Sequence, residues 1–582
     1  MKKSVSGFQQ WQDFLKVARG EAEADIVLGN GQVVDVFTGE VRRADVAIKQ
    51  GRIAGVGDGY KRARAFIDVN GLFVAPGFID GHIHIESSLL SVSEFVRLCL
   101  VHGTTAVVCD PHEIANVLGV RGVEYILKAS EGMPFDVFVM APSCVPATGM
   151  ESSGAKIDAE AIARLLKHRR VIGLAEVMNY PAVVLGDEEI LSKLQVAQGA
   201  GRVIDGHAPG LSGALLQAYA GAGIGSDHEC VGPREAREKM RAGMKIFIRE
   251  GSAAHNLDAL LRLVNDFSLR RCCLVSDDRH PQDLLLEGHL NAVLRRAVAL
   301  GLNPVAAIQL VTLNPAEHFR LDKRGAVAPG FIADLVVLES LNTMRVRMVL
   351  KQGKVVVREG RVLVKLPVVK DKRVMGTVRL RKMSVKDFAI KAEGDLCNVI
   401  RVVPGQIITE KHIQKPTVSN GYVIADTERD LLKVVVIERH KATGRMGKGL
   451  VAGFGLKKGA LGTTVAHDAH NMIIVGTNDK DMLFAARALE RMGGGYVAVA
   501  DGKVRAGLAL PIGGLMSDKP AEEVVSNIRK LLEKAHIWGS RLENPFITLS
   551  FLALPVVPEL KLTDWGLIDV NRFKRIELFV KK

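Results

Sequence analysis

The chain of 582 residues is longer than one ordinary domain, and 48% hydrophobic with 24% charged residues supplies apolar surface for several packed cores. Lysine and arginine exceed the acids by 14, but they are scattered among those acids, and only 5% of residues are aromatic. That pattern argues against a base-stacking surface, so no nucleic-acid partner is expected.

Seven cysteines show no paired spacing and sit in apolar runs such as Leu98-Cys99-Leu100, which disfavours disulfides and structural zinc and fits a reducing cytoplasm. The N-terminus runs polar from Ser4 to Gln10 with no apolar signal core, and no uninterrupted apolar stretch is long enough to span a bilayer. A cytoplasmic protein without a membrane partner is expected.

Residues 8–22 place Trp11, Phe14, Leu15 and Ala18 on one helical stripe. Short alternating strands are predicted at 24–28, 32–36 and 44–48, with Asn30-Gly31 and Gln50-Gly51 as turns between them. Residues 1–75 therefore read as a helix and the first part of a small β-domain.

From Pro76 the rhythm becomes strand, loop, helix. Apolar strands are predicted at 77–80, 106–109, 137–140, 171–174, 202–205, 223–226, 245–248 and 273–276, with helical spacing between them, as in 159–168 and 258–264. Eight such units within 76–318 predict an α/β fold, a (β/α)8 TIM-type barrel. Residues 319–368 return to short strands in the style of 24–56, so the two pieces are expected to pair and flank the barrel. Residues 369–582 read as a C-terminal α+β domain. Its Gly493-Gly494-Gly495 run is a turn, because neither the spacing nor a following Lys-Ser/Thr supports a phosphate-binding loop.

The chemistry lies at the strand ends. Strand alternation turns His82 and His84 to one side, so both imidazoles can reach one ion. Glu176 ends the fourth strand, and His207 and His228 follow the fifth and sixth. Asp277-Asp278 follows the eighth. A lone strand-end histidine is usually a hydrogen-bonded structural residue. Ligand-type groups at successive strand ends of one predicted mouth instead point to a metal site for zinc, iron or manganese with room for water.

These residues resemble the amidohydrolase superfamily, and within it the bacterial-type adenine deaminases. The likeness runs through Pro76 to Ser88 and Asp205 to Gly213, then Ser226 to Cys230, Ser276 to Pro281 and Thr312 to Glu317. It extends to Gly453–Leu456 and Val465–Asn471 in the C-terminal part. The resemblance implies hydrolytic deamination of adenine to hypoxanthine and ammonia by metal-activated hydroxide, in purine salvage or catabolism. It also implies a binuclear divalent metal centre, manganese or iron, with zinc as the alternative. Carried over, His82, His84 and Asp277 bind the more buried ion and His207 and His228 the second. Glu176 bridges them, where many relatives use a carboxylated lysine. Asp277, Glu176 and His228 make up the expected catalytic set, with Asp277 as the proton shuttle. Between Asp277 and Asp278, the family pattern favours the first as ligand.

Other residues near the mouth carry two readings. Glu86, Ser87 and Ser88 either hydrogen-bond the purine or form a capped loop, and Glu86 and Ser88 are taken as substrate contacts. His112 and Glu113, closing the second strand, are also read as substrate contacts rather than a structural turn. Arg279 and His280 fix the loop beside Asp277. His467-Asp468-Ala469-His470 has the look of a metal motif but no barrel position, and is assigned a structural or domain-interface role.

The alternatives are another amidohydrolase acting on a different nucleobase or cyclic amide, and a non-catalytic barrel that only binds. Mononuclear deaminases of the superfamily carry a glutamate shortly after the fifth-strand histidine, as acid for the ring nitrogen; here His207 is followed by Ala208, Pro209, Gly210 and Leu211. Cyclic-amide hydrolases carry the bridging lysine, and here it is Glu176. Both departures favour adenine as the small-molecule substrate. A homo-oligomer, dimer or larger, is expected.

Overall fold

The computed structural model describes residues 7–252 and 254–580; the residues Met1 to Ser6 that open the polar N-terminal run lie outside them. Eight strands alternate with helices through the predicted barrel segment. They are β1 (Phe78–Ile83), β2 (Thr104–Cys109), β3 (Asp136–Ala141), β4 (Val171–Val177), β5 (Val203–Gly206), β6 (Ser226–Asp227), β7 (Lys245–Arg249) and β8 (Cys272–Val275). The first five form one parallel sheet in the order β5-β4-β3-β2-β1, and the last three form another. Every residue of β1, β2, β4 and β8 is buried. Covering on both faces is why these strands read as continuous apolar runs rather than alternating ones.

Backbone hydrogen bonds cross between the two sheets at both margins. On one side Asp277 N–H donates to the His82 carbonyl at 3.0 Å, and Ile83 bridges Asp277 in parallel. On the other, Gly225 N–H donates to the Ile204 carbonyl at 2.9 Å. Strand β6 is shorter than, and C-terminal to, the predicted 223–226. Gly223, at φ +92°, closes the preceding helix by donating to Ala220 O at 2.9 Å, so it is spent on a cap.

Helix ends follow local chemistry. Ala159–Leu165 begins where the Asp158 side chain accepts the Ala161 N–H at 2.8 Å, and ends short of the predicted His168. The predicted helix 258–264 is a single α turn, Leu257–Leu260, continued by a 3-10 turn, Leu261–Leu263.

A nine-stranded sheet is assembled from both sides of the parallel-strand segment. Phe73–Pro76 and Leu335–Leu338 pair antiparallel, with Leu335 opposite Pro76 and Leu338 opposite Phe73. Asn30-Gly31 is not a turn. Ala24–Asp35 is one strand, and Asn30, at φ 64°, sits in a bulge that shifts the register between Leu28 and Gly31. Gln50-Gly51 does turn the chain, both residues at positive φ (52° and 75°), as a two-residue hairpin requires.

The C-terminal part carries an eight-stranded sheet and the helix Asp479–Met492, which Gly493 ends at φ 75°. It rests against the parallel-strand segment. Ser517 N–H donates to Leu89 O at 2.8 Å, Asn471 Nδ2 donates to Ser152 O at 2.7 Å, and Arg97 pairs with Glu522 at 2.8 Å. Among the described residues no helix is long and apolar enough to cross a membrane.

Candidate active site

Alternation along β1 sends Asp80, His82 and, just past its end, His84 toward one side. His82 Nε2 lies 3.4 Å and His84 Nε2 3.1 Å from Asp277 Oδ1. Asp277 adopts φ 59°, a left-handed conformation that costs a non-glycine residue about 1–3 kcal/mol and recurs at functional sites. Its N–H on His82 O holds it there. The His84 Nδ1–H donates to the Asp110 carbonyl at 3.0 Å, which leaves the Nε2 lone pair facing the carboxylates.

Glu176, near the end of β4, is only 3% exposed and stands between two pairs of imidazoles. Its Oε1 is 3.3 Å from His84 Nε2, and its Oε2 is 2.6 Å from His207 Nδ1 and 3.1 Å from His228 Nε2. His82 and His228 stack with ring centroids 4.1 Å apart. The loops that carry His207 and His228 are tied to each other. Asp227 Oδ1 accepts the Ala208 N–H at 2.8 Å, and its Oδ2 takes the buried Lys239 ammonium at 2.9 Å. The His207 N–H donates to the Tyr219 hydroxyl at 3.0 Å, which donates onward to Val177 O at 2.7 Å.

Electrostatics couple the cluster. Burial pushes the Glu176 carboxyl up, but His228 and His207 hold it well below the ordinary range. Asp277 is likewise held well below it, burial being overcome by His82, His84 and Arg249. Burial favours neutral His84, yet Asp277 and Glu176 raise it well above the usual imidazole value.

The donor set fits a divalent cation. His82 Nε2 is buried with no hydrogen-bond partner. The His84–Asp277, His84–Glu176 and His228–Glu176 approaches of 3.1, 3.3 and 3.1 Å are near the ~3.4 Å expected between neighbouring ligands of an ion bound at about 2.1 Å. Ligand atoms of His82, His228 and Asp277 lie within 4.8 Å of one another, as do those of Glu176, His207 and His228. All six predicted ligands are therefore in one cluster.

A cavity of about 810 Å³ is lined by Ser87, Asp278 and His280 from the parallel-strand segment, Asp278 being the chain neighbour of Asp277, and by His467, Tyr496 and Phe551 from the C-terminal part. Arg279, beside them, pairs with Glu287 at 2.8 Å.

The Amidohydrolase family profile matches residues 73–356, and the Adenine deaminase C-terminal domain matches residues 406–574. The adenine deaminase of Dehalococcoides mccartyi strain 195 is 48% identical over 562 residues, covering 97% of this chain and 98% of that protein. The chain belongs to the adenine deaminase family. The adenine deaminase of Methanothrix thermoacetophila is also 48% identical, over 98% of this chain and 100% of its own length. Among solved structures, a β-aspartyl dipeptidase from Fervidobacterium islandicum AW-1 aligns with 58% of this chain and 98% of its own, at a TM-score of 0.46 and 18% identity.

Within this adenine deaminase family member the expected substrate contacts make different interactions. Ser88 is committed elsewhere: its hydroxyl donates to Ile85 O at 2.6 Å and accepts the Leu90 N–H at 3.3 Å, so it is a turn residue. Ser87, its neighbour, faces the cavity and donates to Asp278 Oδ1 at 2.5 Å. Glu86 Oε1 accepts the Ile114 N–H at 3.1 Å, while Oε2 is buried without a partner; burial and the nearby Glu113 push its carboxyl up to about 7. His112 Nδ1 stands 3.2 Å from Asp110 and 3.4 Å from Glu176, beside the ligand set. Glu113 meets His467.

Sequence reasoning missed Arg249 and Glu229. Arg249 ends β7, forks onto Glu229 and reaches Asp277 Oδ2 at 3.0 Å. The strand-end rule that picked out the ligands applies to the position of Arg249 as well, but a lone arginine there reads as a solvated charge.

Proposed function

We propose that the chain hydrolyses adenine to hypoxanthine and ammonia at this cluster. The observation that carries the reading is the convergence of His82, His84, Glu176, His207, His228 and Asp277 on one buried centre at the C-terminal ends of parallel strands. We read the two parallel sheets as one closed (β/α)8 barrel, a reading supported by the backbone bonds at both margins. The segments 1–75 and 319–368 then form one flanking β-domain, and 369–582 a third unit.

In this reading His82, His84 and Asp277 would hold one ion and His207 and His228 a second, with Glu176 as a ligand shared by the site. The count of two and the choice of manganese or iron are part of the proposal, since zinc takes the same ligands. Bound there, a divalent cation would supply a water whose pKa falls from 15.7 to about 7, and with it a nucleophile at neutral pH. The chain supplies the rest. Asp277, kept ionised, accepts a proton from the attacking water and passes it to the C6 amino group, which leaves as ammonia. Arg249 fixes the Asp277 carboxylate during that transfer. A carboxylate at Glu176 supplies two oxygens without needing carbon dioxide, unlike a carboxylated lysine. No nucleic-acid or membrane partner is part of the reading. A homo-oligomer is, supported by the exposed Phe8 and Trp11 on the N-terminal helix.

The test is ammonia release from free adenine by purified protein loaded with manganese or iron, run beside adenosine, cytosine, guanine and dihydroorotate. Activity on adenine is expected. Turnover of a different compound would transfer the reading to another amidohydrolase, and a protein without stoichiometric metal or turnover would be a binding barrel.

A further inference from the structure

His467 and His470, far along the chain, reach into the parallel-strand segment and close on Glu113. His467 Nδ1 is 3.0 Å from Glu113 Oε1, and His470 Nε2 is 3.5 Å from Glu113 Oε2. Three ligand-type groups together suggest a further metal site, but the tautomers argue against it. The Ala466 N–H donates to His470 Nδ1 at 3.1 Å, so the proton of neutral His470 sits on Nε2, which lies 3.5 Å from Glu113 Oε2 without hydrogen bonding to it. A metal-binding imidazole has the reverse arrangement, as His84 does, with the other nitrogen donating. The group is therefore an ion-paired clamp in which His467 meets the Glu113 carboxylate at 3.0 Å.

The clamp fixes His467. Its ring lies parallel to Phe551, with centroids 4.6 Å apart and planes at 23°. Nδ1 is paired with Glu113, which leaves Nε2 as the ring nitrogen on the other side of the imidazole. His467, Phe551, Ser87 and Asp278 line the same cavity. Asp278, a lining residue of this cavity, has its carboxylate within 4.8 Å of the His84 and Asp277 ligand atoms, so it stands between the cavity and the cluster. Beside buried Glu113 the His467 imidazole is charged at neutral pH: burial lowers its pKa, but Glu113 and Asp278 raise it to about 9.

The reaction needs a donor of this kind. When water adds to C6 of a 6-aminopurine, the electrons of the ring C=N bond move onto nitrogen. That nitrogen is stabilised by a donor aimed at it. The run Ala208-Pro209-Gly210-Leu211 after His207 holds no acid, where mononuclear deaminases of the superfamily carry a glutamate shortly after that histidine.

We propose that His467, supplied by the C-terminal part of the chain, donates its Nε2–H to a ring nitrogen of the bound purine, with Phe551 beside it and Glu113 positioning it. This rests on the adenine reading above. The C-terminal part is thereby a wall of the active site rather than an appendage.

The experiment uses full-length, metal-loaded protein carrying His467→Ala, His467→Gln or Glu113→Gln. It measures kcat and KM for adenine, metal content, and inhibition by 1-deaza-, 3-deaza- and 7-deazaadenine. For His467→Ala, kcat/KM is expected to fall about 10–100-fold at unchanged metal content, as for loss of a charged hydrogen bond. Glu113→Gln is expected to shift kcat/KM in the same direction, and adding it to His467→Ala should cost little more. Wild type should bind one deaza compound much more weakly than the others, and His467→Ala should lose that discrimination. His467→Gln, close in size, covers the case in which the alanine variant fails to fold. Unchanged kcat/KM, or an equal loss across all analogues, overturns the inference. Wild type that releases no ammonia from adenine overturns the underlying reading instead.

Discussion

Arg249 Nη1 lies 3.0 Å from Asp277 Oδ2, while the other oxygen of Asp277 faces His82 and His84. One carboxylate thus joins the ligand cluster to a buried guanidinium that also forks onto Glu229. Arginine holds two carboxylates in a fixed plane in a way lysine does not. Arg249→Lys is expected to keep the charge yet lower kcat by at least about tenfold, with metal content retained. Steady-state kinetics beside elemental analysis checks this.

Asp277→Asn removes the proposed proton acceptor and one ligand oxygen's charge. General-base loss typically costs about 10²–10⁴-fold in rate. A fall of that order in kcat is expected, and full activity in the asparagine variant would contradict the assigned role.

Stripping the metal with a chelator should abolish turnover, and manganese or iron should restore it. The sign of the pH effect follows from the ligands. In the metal-free protein His82 and His84 are raised, burial being outweighed by Asp277 and Glu176, so protons compete with the ion above the ordinary imidazole range. Those protonated imidazoles stabilise the metal-free fold at low pH, and that contribution is lost as pH rises through their folded values. The gap in unfolding temperature between loaded and stripped protein should therefore widen with rising pH, as read by calorimetry between pH 6 and 8.

Lys239 is fully buried, with Asp227 at 2.9 Å and Glu235 at 2.8 Å. Lys239→Met leaves Asp227 charged and unpaired in the interior, which costs about 3–5 kcal/mol. Because Asp227 ties the His207 and His228 loops, urea unfolding should show that loss together with reduced metal retention.

Much of the site was legible because alternation and strand ends are local signals. His82 and His84 are two residues apart, and each further ligand marks where an apolar run stops. Arg249 obeyed the same rule but carried a residue type that usually meets solvent. The His467 contact with Glu113 was not legible, since the two are joined by no periodicity and meet only through the packing of distant segments. Asn30-Gly31 misled for a related reason. Asparagine and glycine supply positive φ equally for a turn and for a bulge, and the choice is made by partner strands on both sides.

The antiparallel pairing of Phe73–Pro76 with Leu335–Leu338 has a consequence for synthesis. The ribosome finishes the early strands long before their partner exists, a wait of roughly 10–50 s at about 5–20 residues per second. During that interval an apolar strand edge stands open on the nascent chain. Chaperone dependence and misassembly in this protein should therefore concentrate at that edge rather than at the catalytic centre.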